Sequence, residues 1–394
     1  MPQAKPAFAG IALFSYGFRT FFLLAILFAA GVIPVWVMIW RGDWSLAGPF
    51  QPVDWHIHEM IFGYAFAVIT GFLFTAIPNW TGRMPKQGWP LVALAVLWIA
   101  GRAAVAGFFG LAPVVVMLVD LAFGAAVLAM IAIEIVAGRN WRNLMVVVPV
   151  GGLWLANLAF HLEAMTTGSV DYGRRAALSL VLFLILLIGG RVIPSFTRNW
   201  LVKQKVTALP IPFNRFDAAS LIVAALALAA WIGAPESRLT GVALTLAALI
   251  HLVRLLRWQG ARTWASPLLV MLHIAYLQVP LGFAALAISI LGGGVIGQVV
   301  GLHLLGIGAI AGMTVAVMMR ATMGHSGRPL EAGAILTLGF ATVVLSGFIR
   351  AGTAAFAGNG VLIAATLWTL GFAMVIYRLA PMLWGPSLER KKPS

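Results

Sequence analysis

Cysteine is absent from this 394-residue chain. Its absence excludes iron–sulfur clusters, thiolate-ligated haem, the covalent CxxCH haem motif and thiolate sites for copper or zinc. Any metal bound here must use His, Met, Tyr or carboxylate. Acid is nearly as scarce, with 11 Asp and Glu against 26 Lys and Arg. Asp120 is the one acid well inside an apolar run. Proton pumps and proton-coupled transporters generally use intramembrane acids as relays, so the sequence argues against that class.

What remains is overwhelmingly apolar: 62% of the residues are hydrophobic and 9% charged. The apolar runs reach the roughly 20 residues needed to cross a bilayer. Twelve spans are expected, at 20–40, 56–78, 89–109, 112–137, 142–164, 175–197, 217–234, 239–257, 266–290, 295–319, 331–350 and 357–380. Backbone groups in lipid find no water, so each span must be helical and the fold class is an all-α integral membrane protein. Alternation of the spans puts Arg41, Arg102, Arg174, Arg175, Arg238 and Arg350 on one side and every other basic residue on the side of the termini. By the positive-inside rule both termini are expected in the cytoplasm. The segment Met1–Gly10 is too short for a signal peptide, so the first span is expected to direct insertion itself. The formal charge of +15 is explained by loops facing an anionic leaflet and requires no nucleic acid.

Similar sequences end the second, sixth and tenth spans. Thr75-Ala76-Ile77-Pro78-Asn79-Trp80-Thr81-Gly82-Arg83 matches Arg191-Val192-Ile193-Pro194-Ser195-Phe196-Thr197-Arg198, and Met318-Met319-Arg320-Ala321-Thr322 is a weaker third. Proline, hydroxyl and arginine residues also mark cytosolic helix ends in general. If the repeat is genuine, the chain is a single membrane domain of three four-helix units, 1–138, 139–258 and 259–394, whose second helices surround a common pseudo-threefold axis.

Against this background, ionisable side chains at membrane depth are candidate functional groups. His56, His58, His161 and His303 fall near the outer ends of their spans and form a candidate metal-binding group. His56 and His58 are about 200° apart around a helix, so on one regular helix they cannot serve the same ion. Asp54 and Glu59 bracket them. Asn157 stands one turn before His161, a spacing that can orient its ring. His303 lies about 12 Å into its span at helical rise, among Gly297, Gly301, Gly306, Gly308 and Gly312; such glycines serve close helix packing or leave room for a flat macrocycle. An inner group consists of His251 and His273, each roughly 10 Å from the cytosolic surface, a common depth that suits two axial haem ligands or two members of a copper site. Arg254, Arg257 and Arg320 can meet haem propionates or snorkel to the interface, and His325 is expected in a cytosolic turn. Arg102 comes out level with Asp120, which makes a structural ion pair of the two.

Tyr16-Gly17-Phe18-Arg19-Thr20-Phe21-Phe22, Trp55-His56-Ile57-His58-Glu59-Met60, Pro78-Asn79-Trp80-Thr81-Gly82-Arg83, Leu272-His273-Ile274-Ala275-Tyr276 and Gly324-His325-Ser326-Gly327-Arg328 resemble the NnrS family of bacterial membrane proteins. Thr20 replaces the usual proline and Ser326 a common threonine; neither change removes a ligand. The resemblance implies a twelve-helix inner-membrane protein that carries haem and copper and acts in the response to nitric oxide. It does not assign individual histidines to individual metals.

Both lines point to metal-centred handling of nitric oxide, a small neutral molecule that reaches buried sites through lipid. The chemistry expected is oxidoreduction in nitrosative-stress defence, at ferrous haem with a second metal nearby. A multi-spanning transporter, a haem or copper trafficking protein and a nitric oxide sensor are the alternatives. The first calls for inverted repeats around a midplane site, the second for the same histidines without turnover, and the third for an output domain that this sequence does not display.

Overall fold

The computed structural model describes residues 8–353 and 359–388, the side chain of Arg142 excepted. Four basic residues assigned above to the side of the termini, Lys5, Arg390, Lys391 and Lys392, lie outside the described residues. Among the described residues there is no strand, and eleven helices are long and apolar enough to cross a membrane.

In chain order the helices are α1 (Gly17–Trp40), α2 (Pro52–Thr81), α3 (Trp89–Val105), α4 (Pro113–Ala137), α5 (Val147–Thr166), α6 (Tyr172–Lys203), α7 (Arg215–Gly233), α8 (Arg238–Leu256), α9 (Pro267–Leu291), α10 (Gln298–His325), α11 (Gly333–Gly352) and α12 (Gly360–Trp384). All twelve expected spans fall on helices, but the third is shorter than expected. It stops at Val105 rather than 109, because Gly107 turns the chain with φ +82° and packs against the Ala47–Gly48 backbone. Conversely, α10 runs past the end of its apolar stretch, so His325 is the last helical residue and not part of a turn. Hydropathy marks where lipid-compatible residues end, whereas this helix continues until Ser326 bonds back to the Thr322 carbonyl.

Local signals set the ends. Proline opens α2, α4 and α9 in the first turn, where its missing N–H costs nothing. Asn214 and Asp217 form a reciprocal capping box at α7. Gly82 closes α2 in the left-handed conformation. The first and last helices meet, closing the bundle: Trp368 of α12 donates to the Ala29 carbonyl of α1 at 2.7 Å. Arg19 of α1 donates to the final carbonyls of α12 at Met382 and Leu383, satisfying acceptors that a helix terminus leaves unpaired.

The second, sixth and tenth helices stand apart. At 30, 32 and 28 residues they are the three longest. Each contains a π-helical segment, Glu59–Ala65, Ile185–Gly189 and Leu304–Ala311 respectively. Such widened turns are rare and concentrate at functional sites. The three helices converge on one apolar cavity, lined chiefly by α2, α6 and α10 with Leu272 from α9.

Candidate metal centre

The first π-helical segment begins directly after His58, and around that residue α2, α3, α4 and α5 bring their polar side chains together. Asp120 of α4 is the hub. One carboxylate oxygen, Oδ1, takes the Arg102 guanidinium of α3. The other, Oδ2, lies 3.2 Å from Nε2 of His58 and 3.1 Å from Nε2 of His161, and accepts from Asn157 Nδ2 at 2.7 Å. Arg102 also reaches Glu59, whose Oε1 lies 3.0 Å from Nδ1 of His58. Gly101 makes the approach of α3 possible, since a Cβ there would lie 3.0 Å from Asp120 Oδ1.

The network is dry. His58, Glu59, Asp120, Asn157 and His161 are all under 5% exposed. Phe50, Phe62 and Phe160 cover the imidazoles, with Phe50 ring centroids 4.7 Å from His58 and 4.9 Å from His161. Asn157 donates to a carboxylate, so its Oδ1 is the atom that faces His58, 3.0 Å from Nε2. Both nitrogens of His58 therefore face oxygen atoms, Glu59 Oε1 on one side and Asn157 Oδ1 and Asp120 Oδ2 on the other. Two carboxylates stand against one guanidinium and the imidazoles, the kind of pairing that buried charged groups require.

One ligand atom from each of His58, Asp120 and His161 falls within 4.8 Å of the others, so the three can close on a single small ion. The remaining residues orient them: Asn157 holds His58 and Asp120, while Glu59 holds the far nitrogen of His58. The sequence points to Asn157 as the partner of His161; its amide bonds instead to His58 of α2 and Asp120 of α4.

His56 and His303 lie elsewhere. His56 stacks on Trp36 of α1, with centroids 4.6 Å apart, and its Nδ1 is buried without a partner. His303 donates through Nδ1 to the Val299 carbonyl one turn back. The half-turn offset between His56 and His58 thus carries them to different neighbours.

The inner histidines are held by protein groups. Arg254, fully buried, donates to Asp217 at 2.9 Å and to the Tyr276 hydroxyl at 3.2 Å. That hydroxyl in turn donates to His251 Nδ1 at 2.8 Å, and His251 Nε2 donates to the Ser220 carbonyl at 3.0 Å. In this arrangement His251 has no lone pair left for a metal. His273 donates through Nδ1 to Leu269, its Nε2 meets no close hydrogen-bond partner among the described residues, and Gly260 closes over its ring. Arg257 also reaches Asp217, Arg320 lies 3.9 Å from the Phe196 ring centroid, and His325 packs on Phe18. Asp217 and Tyr276 are not among the candidate site residues of the sequence. Asp217 also caps α7, and nothing in its spacing announces a buried ion pair.

An all-α, multi-span membrane protein with a buried His–Asp–His cluster is the class these features define. Residues 12–387 match the model of the NnrS protein family, and the chain belongs to that family. Comparisons with curated proteins and with solved structures found no match.

Proposed function

We propose that this protein is a metalloprotein of the bacterial inner membrane that handles nitric oxide at a copper ion held by His58, Asp120 and His161. Family membership suggests a membrane protein of the nitric oxide response, and the buried three-ligand cluster is the observation that carries the rest. Two imidazoles and one carboxylate suit a divalent transition ion, and among these copper binds nitrogen and oxygen ligands most tightly. A copper ion bound there supplies a redox-active coordination position for a small neutral ligand.

The chain's own residues do the remainder. His58 could hold an ion only through a nitrogen free of its proton, so binding would release acid. Arg102 and Glu59 would remain as a pair of opposite charge beside the three ligand groups, and the three phenyl rings would shield them from water. Glu59 stands beside the cluster and is not one of its three ligand groups, so its carboxylate is the one that would hold a proton next to a bound ligand. The cluster does not fit haem: the phenyl rings lie directly against both imidazoles and leave no flat slot.

The termini are assigned to the cytoplasm, on the strength of the basic residues on their side. We further propose that 1–138, 139–258 and 259–394 are three copies of one four-helix unit; the π-helical segments of α2, α6 and α10 support this reading.

The test is metal analysis and electron paramagnetic resonance of the purified full chain, expressed with adequate copper, before and after nitric oxide. A stoichiometric copper signal that nitric oxide alters, lost in His58→Ala and His161→Ala, is expected. Copper bound without any consumption of nitric oxide under reducing conditions would favour trafficking or sensing, and a copper-free protein would remove the proposal.

A further inference from the structure

The apolar cavity between α2, α6 and α10 is open at one side and has a volume of about 80 Å³. That is roughly half the volume of the engineered cavity of about 150 Å³ that stays dry and takes up benzene or xenon. It cannot hold a macrocycle or a quinone ring, but it suits a molecule of two or three heavy atoms.

Its lining is chemically uniform. Ala65 and Val68 of α2, Ile185 and Gly189 of α6 and Met313 of α10 contribute only carbon, sulfur or backbone that is already in helix. Thr314 supplies the one polar side chain. Its hydroxyl donates to the Ile310 carbonyl at 2.7 Å and accepts from the buried Tyr64 hydroxyl at 2.6 Å. Water needs two to four polar partners to settle in a cavity, and Thr314, already bonded to Ile310 and Tyr64, is the one side chain here that could offer any.

Position adds a second line of argument. The cavity borders the ends of the π-helical segments of α2 and α6 and the residues just after that of α10. Ala65 lies seven residues beyond His58, about 10 Å along the helix. Phe62, whose ring centroid is 4.9 Å from that of His58, stands between the two levels. At the end away from His58 the lining residues Phe72, Val192 and Val317 are only half-buried, so the way in is apolar as well.

We infer that this chamber is a binding site for a small uncharged apolar molecule, a holding position from which such a ligand passes to the His58–Asp120–His161 cluster. That the ligand is nitric oxide rests on the function proposed above; that the chamber binds a molecule of this class does not. A dry cavity in a bilayer-embedded bundle concentrates apolar gas just as lipid does, and holding it beside the reacting ion shortens the search for that ion.

Xenon is the probe. In xenon-pressurised crystals of the full chain, a single anomalous peak is expected between Ala65, Gly189 and Met313. Gly189→Leu should abolish it: the nearest atoms to a Cβ at that position lie 3.7 Å away, which leaves room for the new side chain to enter the chamber. Val68→Ala should enlarge the chamber and raise xenon occupancy, which keeps the test open if the filled variant folds poorly. In the copper-loaded protein Gly189→Leu should slow nitric oxide association several-fold while leaving copper content and azide binding unchanged. An empty chamber under xenon, or an ordered acyl chain within it, would overturn the inference. So would nitric oxide association that ignores filling of the chamber. A protein that takes up xenon but no copper would defeat the proposed function alone.

Discussion

Arg102 and Asp120 form an ion pair in which the carboxylate divides its two oxygens, giving Oδ1 to the guanidinium and Oδ2 to the imidazoles of His58 and His161. A residue pair that hydropathy alone presents as mutual neutralisation is therefore also the structural base of the metal cluster. Arg102 carries a second carboxylate, Glu59, so its loss would strand two acids in a dry site.

The first prediction follows from that asymmetry. Arg102→Leu should destabilise the protein by about 3–5 kcal/mol, the usual scale for breaking a buried pair. Combining it with Asp120→Asn should recover part of that loss. Thermal unfolding of the four proteins in one detergent gives the double-mutant cycle; strictly additive losses would show that the pair is not coupled.

Asn157 offers a gentler probe of the centre. It touches no ion in the proposed arrangement, yet it aims both His58 and Asp120. Asn157→Leu should retain the fold and weaken copper affinity by about 10- to 100-fold, the range found for outer-shell partners. Competitive chelator titration measures it. Wild-type titration in weakly buffered solution should release a proton from His58 for each ion bound, so affinity should fall as pH is lowered. Unchanged affinity in Asn157→Leu would mean that the amide does not orient the ligands.

Much of this architecture was legible in the chain because membrane depth constrains it so tightly. Apolar length locates the twelve helices named above among the described residues, and helical periodicity separates His56 from His58. The cluster itself was not legible. His58, Asp120 and His161 are brought together by the packing of α2 against α4 and α5, and no local pattern encodes which faces meet. Phe50, which covers the histidines, comes from the loop between α1 and α2, where its neighbours give no signal of burial. Common depth suggested that His251 and His273 act together, but depth does not report side-chain partners, and Tyr276 takes the nitrogen that a metal would need.

The inner network leads to a prediction of its own. Tyr276→Phe removes the hydroxyl that donates to His251 and accepts from Arg254, leaving His251 Nδ1 unpaired while Arg254 keeps Asp217 and the Leu186 carbonyl. Stability should drop by about 1–3 kcal/mol per orphaned group, with copper content at the outer cluster unaltered. His251→Ala should behave likewise. Loss of an optical or paramagnetic centre on His251→Ala, without loss of stability, would instead identify His251 as a ligand.

Topology can be tested cleanly because the chain has no cysteine of its own. Ala47 is exposed in the connection between α1 and α2, while Lys86 and Lys203 follow the opposite ends of α2 and α6. With the basic residues concentrated on the second side, that side is expected in the cytoplasm. Ala47→Cys should therefore react with a membrane-impermeant maleimide in intact cells, and Lys86→Cys and Lys203→Cys should react only after the membrane is opened. Labelling of either lysine position in intact cells, with Ala47→Cys protected, would invert the orientation. It would also move the His58 cluster, which lies near the Ala47 end of α2, from the outer half of the membrane to the inner.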